Sequence, residues 1–281
     1  MSDSIKRRRF LQQAGLAVAG GAGVLAPAHV LADAAAELPA TNTEGQPKRV
    51  LVTAAETPLA QTLRDGLTAA WQVHLTAQTE ISVSSPFTKC SLDANESTRD
   101  VVRGMDAVVH LALAQAERSP GEQIDGLVRA TYNLLTAAAA EGVRRVIHVS
   151  SLAPMRGYDE AFAVTEDWQP RPGDDATALA EYLAEYTSRE FARQRQLEVV
   201  ALRIGNVVRA DSITGQPFDP EWVDERDVVQ AVSLALRTSK LSSPHGTDGW
   251  TVLHILSDST RARFPVNKAR QLLGYQPQHR W

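Results

Sequence analysis

The sequence has little of what builds disulfide frameworks, metal centres and low-complexity chains. Its 281 residues contain one cysteine, Cys90, which excludes an internal disulfide and a cysteine-based structural zinc site. The seven histidines stand far apart, with no pair at helical spacing, so the sequence indicates no metal site. With 17 glycines and 14 prolines, the chain is neither collagen-like nor of low complexity.

A basic surface is missing as well. The formal net charge is -4 at pH 7 and the sequence pI is about 6.0, which argues against a nucleic-acid partner. The chain is 43% hydrophobic and 22% charged, a composition typical of a globular protein. Its length allows one large domain or two modest ones.

The N-terminus has the pattern of an export signal. Arg7 and Arg8 open a motif that resembles the twin-arginine signal, in which an arginine pair, one further residue and Phe-Leu precede an apolar stretch. That stretch, residues 14–26, is rich in glycine and alanine and is too short to span a bilayer. We expect cleavage after Ala32, with Ala28 as the alternative.

These features predict a signal peptide over residues 1–32, a linker over 33–47 and one folded domain over 48–281. The predicted location is the periplasm, or the membrane if the signal stays uncleaved, and the twin-arginine translocase is the predicted partner during export. A basic amphipathic arm is the alternative interpretation of the same residues.

From residue 48 onward, short apolar runs alternate with amphipathic stretches. This alternation predicts βαβ units and a parallel sheet covered by helices on both faces. The predicted strands are Lys48–Thr53, Val73–Thr76, Asp106–Ala112, Arg145–Ser150 and Val199–Arg203. The predicted helices are Pro58–Ala70, Ile124–Glu141, Thr177–Gln196 and Arg226–Arg237, and a short closing unit follows around Trp250–Ile255 and Pro265–Leu273.

Seven segments in order resemble the NAD-dependent epimerase/dehydratase family, the extended short-chain dehydrogenase/reductases. They are Arg49–Thr53, Asp106–Ala112, Thr131–Leu135, Glu141–Ser151, Leu202–Val207, Trp222–Val228 and Leu272–Pro277. The resemblance implies an α/β fold: a Rossmann-like, doubly wound parallel sheet with a small, shortened C-terminal cap, its elements mainly in residues 204–281. It also implies NAD or NADP as cofactor.

The family's glycine-rich phosphate turn is altered in this chain. Its three glycine positions carry Ala54, Thr57 and Ala60, and Glu56 places a carboxylate beside the helix N-terminus that would bind the pyrophosphate. Thr57 is predicted to cap that helix, with Pro58 as its first residue. These replacements argue against a bound dinucleotide. The remaining cofactor-binding positions are Thr57, Leu59, Leu111, Ala112 and Ser150.

The family's catalytic positions are replaced too. The resemblance places its Ser/Thr at Leu152, its Tyr at Thr177 and its Lys at Glu181. In the family, the lysine lowers the pKa of the tyrosine so that the phenol can exchange a proton. Neither a threonine nor a carboxylate supplies that arrangement, so the sequence assigns no catalytic residue.

Other polar residues have two interpretations each. Ser150 and Ser151 would either line the cofactor edge or cap the end of a strand. Arg203 and Asn206 would either shape a substrate pocket or hold the next loop, and the short cap suits a small molecule better than a nucleotide sugar. His110 and His148 fall within strand patterns and are expected to be buried.

The main functional hypothesis is an exported family member that has lost hydride transfer and binds a small molecule or an exported partner protein. The alternative is an active NAD(P)-dependent oxidoreductase or epimerase that acts on a small sugar or sugar acid with an unorthodox acid/base.

Overall fold

The computed structural model describes residues 48–115, 117–213, 215–217, 219–238, 249–257 and 262–279. The predicted signal peptide, with Arg7, Arg8 and both candidate cleavage positions, and the predicted linker lie outside the described residues. None of the described helices combines the length and the apolar character needed to cross a membrane.

Seven parallel strands form the central sheet in the order β3-β2-β1-β4-β5-β6-β9. Their ranges are β1 Arg49–Val52, β2 Gln72–Ala77, β3 Phe87–Lys89, β4 Ala107–Leu111, β5 Arg145–Ser151, β6 Glu198–Ile204 and β9 Trp250–Ile255. The order reverses between β1 and β4, which is where doubly wound sheets bind ligands at their carboxyl edge. The expected Rossmann-like α/β fold is confirmed.

Within the described residues, six helices cover the two faces of this sheet. They are α1 Pro58–Leu67, α2 Glu96–Val102, α3 Pro120–Ala140, α4 Ala176–Arg193, α5 Glu225–Arg237 and α6 Asn267–Leu273. One core layer lies under α1, α5 and α6, and the other lies under α2, α3 and α4. Burial on both faces explains why the central residues of β1, β4 and β5 are mostly apolar rather than alternating between apolar and polar.

The short elements were not predicted. Strand β3 has three residues, and helix α2 has seven and is capped by Asn95, whose side chain accepts a hydrogen bond from the Thr98 amide. After β6, two further short strands, β7 Asn206–Val208 and β8 Trp222–Asp224, pair in parallel outside the main sheet. Elements this short carry too few residues to show a period in the sequence.

Candidate functional site

The turn between β1 and α1 is built as a helix N-terminus. The hydroxyl of Thr57 accepts a hydrogen bond from the Ala60 amide (3.3 Å) and donates one to the Ala54 carbonyl (2.8 Å). Thr57 is the N-cap and Pro58 follows it as the first helical residue, as the sequence predicts. The α1 N-terminus therefore lies at the carboxyl edge of β1, where a phosphate-binding turn would lie.

Ala54 adopts a backbone conformation that normally needs glycine. Its φ is +52°, in the left-handed region, which costs an L-residue about 1–2 kcal/mol. Ala60 is fully buried and packs in the seam between α1 and the sheet, so its added methyl is accommodated. The turn thus has the left-handed conformation at the first glycine position although the glycine is absent.

A cavity of about 70 Å³ lies beside this turn. Of its described lining residues, Arg118 is the one cation, and it shares the cavity with the carboxylates of Glu56 and Glu122. The Arg118 guanidinium donates to the Gln78 side chain just after β2 (2.8 Å). Ala77, at the carboxyl end of β2, also lines the cavity; dinucleotide-binding folds commonly carry there an acid that binds the adenosine ribose.

Of the other expected cofactor-binding residues, some lie at the cavity and others lie in the core. Leu111 lines the cavity and is 3% exposed, and Ala112 follows it fully buried. Leu59 is turned into the core under α1. Ser150 is fully buried and its hydroxyl donates to Glu185 (3.3 Å), so that hydroxyl points into the core rather than toward the cleft.

Glu181 occupies the lysine position and is held by three hydrogen bonds. One oxygen accepts from the Ala114 amide (3.1 Å), and the other accepts from the amide (3.1 Å) and the hydroxyl (2.5 Å) of Ser151. The carboxylate thereby joins the loop after β4 to the end of β5. Burial raises the pKa of Glu181, and the hydrogen bonds from Ser151 and Ala114 only partly oppose that effect.

The other two catalytic positions carry neither an acid nor a base. Leu152 is fully buried in the core, and the hydroxyl of Thr177 donates to the Gln123 side chain (2.9 Å). That contact ties α4 to α3. The described residues place two hydroxyl–carboxyl contacts at the end of β5, Ser150–Glu185 and the shorter Ser151–Glu181.

The two strand histidines are buried, as expected. His110 lies between the hydroxyls of Thr53 (3.0 Å) and Thr131 (2.9 Å), and His148 contacts the Ser188 hydroxyl (3.0 Å). Burial lowers the pKa of each imidazole to about 3, so both are neutral at physiological pH. They act as hydrogen-bonding members of the core.

Arg203 and Asn206 are separated rather than brought together. Arg203 is 3% exposed and forms a two-pronged ion pair with Glu185, at 2.6 and 2.9 Å. Burial acts to lower the pKa of Arg203, but the charge and hydrogen bonds of Glu185 outweigh it and raise the value. Asn206 lies exposed on β7 and contacts Arg156 and Asp219 (2.9 and 2.8 Å).

Two of these contacts were not anticipated from the sequence. The Ser151–Glu181 contact joins residues 30 positions apart, and the Glu185–Arg203 pair joins residues 18 apart. A pattern was available for them, because Glu181 and Glu185 stand four apart on one face of α4. Both carboxylates are turned toward the ends of β5 and β6.

A parallel sheet in this order, with a phosphate-type turn after β1, defines a Rossmann fold of the dinucleotide-binding class. The model of the NAD dependent epimerase/dehydratase family matches residues 59–221. The chain belongs to the NAD-dependent epimerase/dehydratase family.

Curated relatives of this chain are sugar-related dehydrogenases. The uronate dehydrogenase of Agrobacterium fabrum is 28% identical over 206 residues, which cover 70% of this chain and 75% of the relative. That of Pseudomonas putida is 25% identical over 240 residues, covering 82% and 83%. An L-arabinose 1-dehydrogenase (NAD(P)(+)) of Haloferax volcanii is 24% identical, covering 65% and 78%.

Solved structures agree on the fold. A point mutant of the uronate dehydrogenase from Agrobacterium tumefaciens, complexed with NAD, has a TM-score of 0.70 at 23% identity. The glucuronic acid dehydrogenase from Chromohalobacter salexigens has a TM-score of 0.70 at 21% identity. Each comparison covers 83% of this chain and 85% of the other.

Proposed function

We propose that this chain is an NAD(P)-dependent oxidoreductase that acts on a small sugar or sugar acid and that uses Glu181, through Ser151, as its acid/base. The curated relatives are dehydrogenases, which supports this alternative over the hypothesis that hydride transfer has been lost. The observation that carries the proposal is the 2.5 Å contact between the Ser151 hydroxyl and the buried Glu181 carboxyl.

The phosphate turn is the part of the site that fits a dinucleotide. The left-handed Ala54 and the N-terminus of α1 provide the tight turn and the positive end of a helix dipole, which suit a pyrophosphate. Gln78, just after β2, and Arg118, just before α3, are the groups available to the adenosine ribose. When bound, the cofactor supplies the nicotinamide that exchanges a hydride.

The proton would be handled by the chain itself. A substrate hydroxyl that loses its proton to the Ser151 oxygen allows Ser151 to pass its own proton to the Glu181 carboxylate. Because burial raises the pKa of Glu181, this carboxyl holds a proton more readily than an ordinary glutamate does. In the reverse direction the same pair returns the proton.

A second candidate function is the binding of a small molecule or an exported partner protein without hydride transfer, and the small cavity beside the turn favours it because a dinucleotide needs more room there. The space of about 70 Å³ beside the turn is far below the roughly 300–1,000 Å³ of ordinary ligand pockets. The Glu181 carboxylate, at the lysine position, also accepts hydrogen bonds from the Ala114 and Ser151 amides, so these amides are not available to a ligand. These observations fit an exported, periplasmic binding protein. Export through the twin-arginine pathway is part of the proposal for both candidate functions.

The test begins with the nucleotide and then removes the acid/base. Full-length protein is denatured and the released molecules are identified by mass spectrometry, with NAD and NADP titrations by calorimetry alongside. Reduction of NAD(P) is then followed at the nicotinamide absorbance with aldoses and hexuronates. We expect turnover that Glu181→Gln and Ser151→Ala each abolish without a large change in nucleotide affinity.

Glu190→Gln, on the same helix and paired only with Arg193 among the described residues, is the matched control and should keep full activity. Nucleotide binding without turnover would refute the oxidoreductase and support the binding protein. Turnover that survives Glu181→Gln would refute the assigned acid/base.

A further inference from the structure

A second and much larger cavity lies away from the phosphate turn. It occupies about 710 Å³ between α4, the segment 166–170 that precedes α4, and the first half of β9. None of the described residues that line it also lines the smaller cavity beside the turn. Its volume falls in the range of ordinary small-molecule sites, about 300–1,000 Å³.

Aromatic side chains form much of its wall. Tyr182 and Tyr186, one turn apart on α4, have ring centroids 6.4 Å apart, and Trp250 lies at the start of β9. Trp168 is fixed edge-to-face against Tyr158, at a centroid distance of 4.7 Å. Aromatic faces carry negative electrostatic potential and pack against the polarised C–H faces of sugar rings.

The charged groups in the cavity are mostly paired with each other. Glu185 is held by Arg203, and Asp167 lies 3.8 Å from Lys268. Arg189 also lines the cavity, is exposed, and forms no ion pair with any described residue. Among the described residues that line the cavity, Arg189 is therefore the cation that has no ion-pair partner.

Glu166 is the remaining acid, and its environment disfavours an added cation. It is 8% exposed, and its carboxylate accepts a hydrogen bond from the His254 amide (3.0 Å). Burial raises the pKa of Glu166, and the hydrogen bond from the His254 amide and the charges of Lys268 and Arg203 oppose that effect. The nearby positive charges disfavour a ligand ammonium group, whereas a carboxyl oxygen can accept a hydrogen bond from a ligand hydroxyl.

We propose that this cavity is a binding site for a small polyhydroxylated carboxylate, a sugar acid in chemical class, separate from the site of the proposed oxidoreductase. Arg189 pairs with the carboxylate, the rings of Tyr182 and Tyr186 pack against the carbon skeleton, and Glu166 meets a hydroxyl. The proposal does not depend on the function assigned to Ser151 and Glu181.

The test is calorimetric titration of the full-length protein with glucuronate, with glucose as the uncharged probe. We expect saturable glucuronate binding, at least fivefold weaker binding of glucose, and at least a fivefold loss of glucuronate affinity in Arg189→Gln. Arg193→Gln is the matched control, since Arg193 lies one turn further on the same helix and pairs with Glu190 outside the cavity. Its affinity should equal that of the parent protein.

A second variant separates the two sites. Ser151→Ala should leave glucuronate affinity at the large cavity unchanged, whereas a ligand bound at the phosphate-turn cleft would respond to it. Three results would each overturn the proposal: no glucuronate binding, an affinity for glucose equal to that for glucuronate, or a glucuronate affinity of Arg189→Gln equal to that of the parent protein. The NAD and NADP titrations report on the oxidoreductase alone, so the two proposals fail independently.

Discussion

Removing the guanidinium of Arg203 should cost this protein a large part of its stability. Arg203 and Glu185 are 3% and 7% exposed at their side chains and are joined by hydrogen bonds of 2.6 and 2.9 Å. Arg203→Met would leave the Glu185 carboxylate buried with a single weak donor, Ser150. Breaking one side of a buried pair typically costs about 3–5 kcal/mol, against about 5–15 kcal/mol of total stability for a domain.

The assay is urea unfolding of the full-length protein, followed by tryptophan fluorescence. Arg203→Met should lose about 3–5 kcal/mol, and adding Glu185→Leu should recover most of that loss, because no unpaired charge then remains. Arg193→Met is the control, since it breaks an exposed pair with Glu190 and should change stability by less than about 1 kcal/mol. A loss below about 1 kcal/mol in Arg203→Met, or no recovery in the double variant, would refute the reasoning.

Three further predictions concern the site and the turn after β6. The pKa of Glu181 is raised in the folded state, so the folded protein is most stable, relative to the unfolded chain, below the ordinary value of 4.5, and this contribution is lost as pH rises through the folded value. In urea unfolding, the free energy of unfolding of Glu181→Gln should therefore rise relative to that of the parent protein as pH rises from about 4 to about 8. A difference that stays constant with pH would contradict this prediction. Ala54→Gly relieves about 1–2 kcal/mol of left-handed strain and costs about 0.5–1 kcal/mol of chain entropy, so thermal unfolding should show equal or higher stability, in contrast to an ordinary alanine-to-glycine change. A Cβ on Gly205 would lie 2.1 Å from the Glu221 carbonyl, so Gly205→Ala should lose about 1–3 kcal/mol in the same assay, while Gly121→Ala, with nothing within 4 Å, should change little.

The fold could be predicted because most of its strands can be recognised from their own residues. Strands such as β4 and β5 are buried along almost their whole length, and such strands are mostly apolar on both faces, with His110 and His148 as polar exceptions. The caps of α1 and the alternation of strands with long helices are equally local properties. Strand β3 and helix α2 were not predicted, because three and seven residues are too few to establish a hydrophobic period.

The candidate site was harder to predict because its decisive features are tertiary. The replacement of glycine by Ala54 is visible in the sequence, but the left-handed φ that Ala54 adopts is imposed by the strand and helix on either side of it. Arg203 and Asn206 look like neighbours, yet β6 ends at Ile204 and the chain leaves the sheet at Gly205. One residue then faces a buried carboxylate and the other faces solvent.

Two costs meet at the carboxyl edge of the sheet. Ala54 holds a strained backbone conformation where glycine would be unstrained, and Glu181 is a buried carboxyl whose ionisation burial opposes. The turn would close as well with glycine, so the strain at Ala54 adds nothing to stability, and Glu181 pairs the Ala114 and Ser151 amides at the cost of a buried carboxyl. Strain and buried ionisable groups concentrate at sites that bind or react, because elsewhere they only reduce stability. The coincidence of both at one edge of the sheet therefore favours a working site there over an inert remnant of the family's cleft.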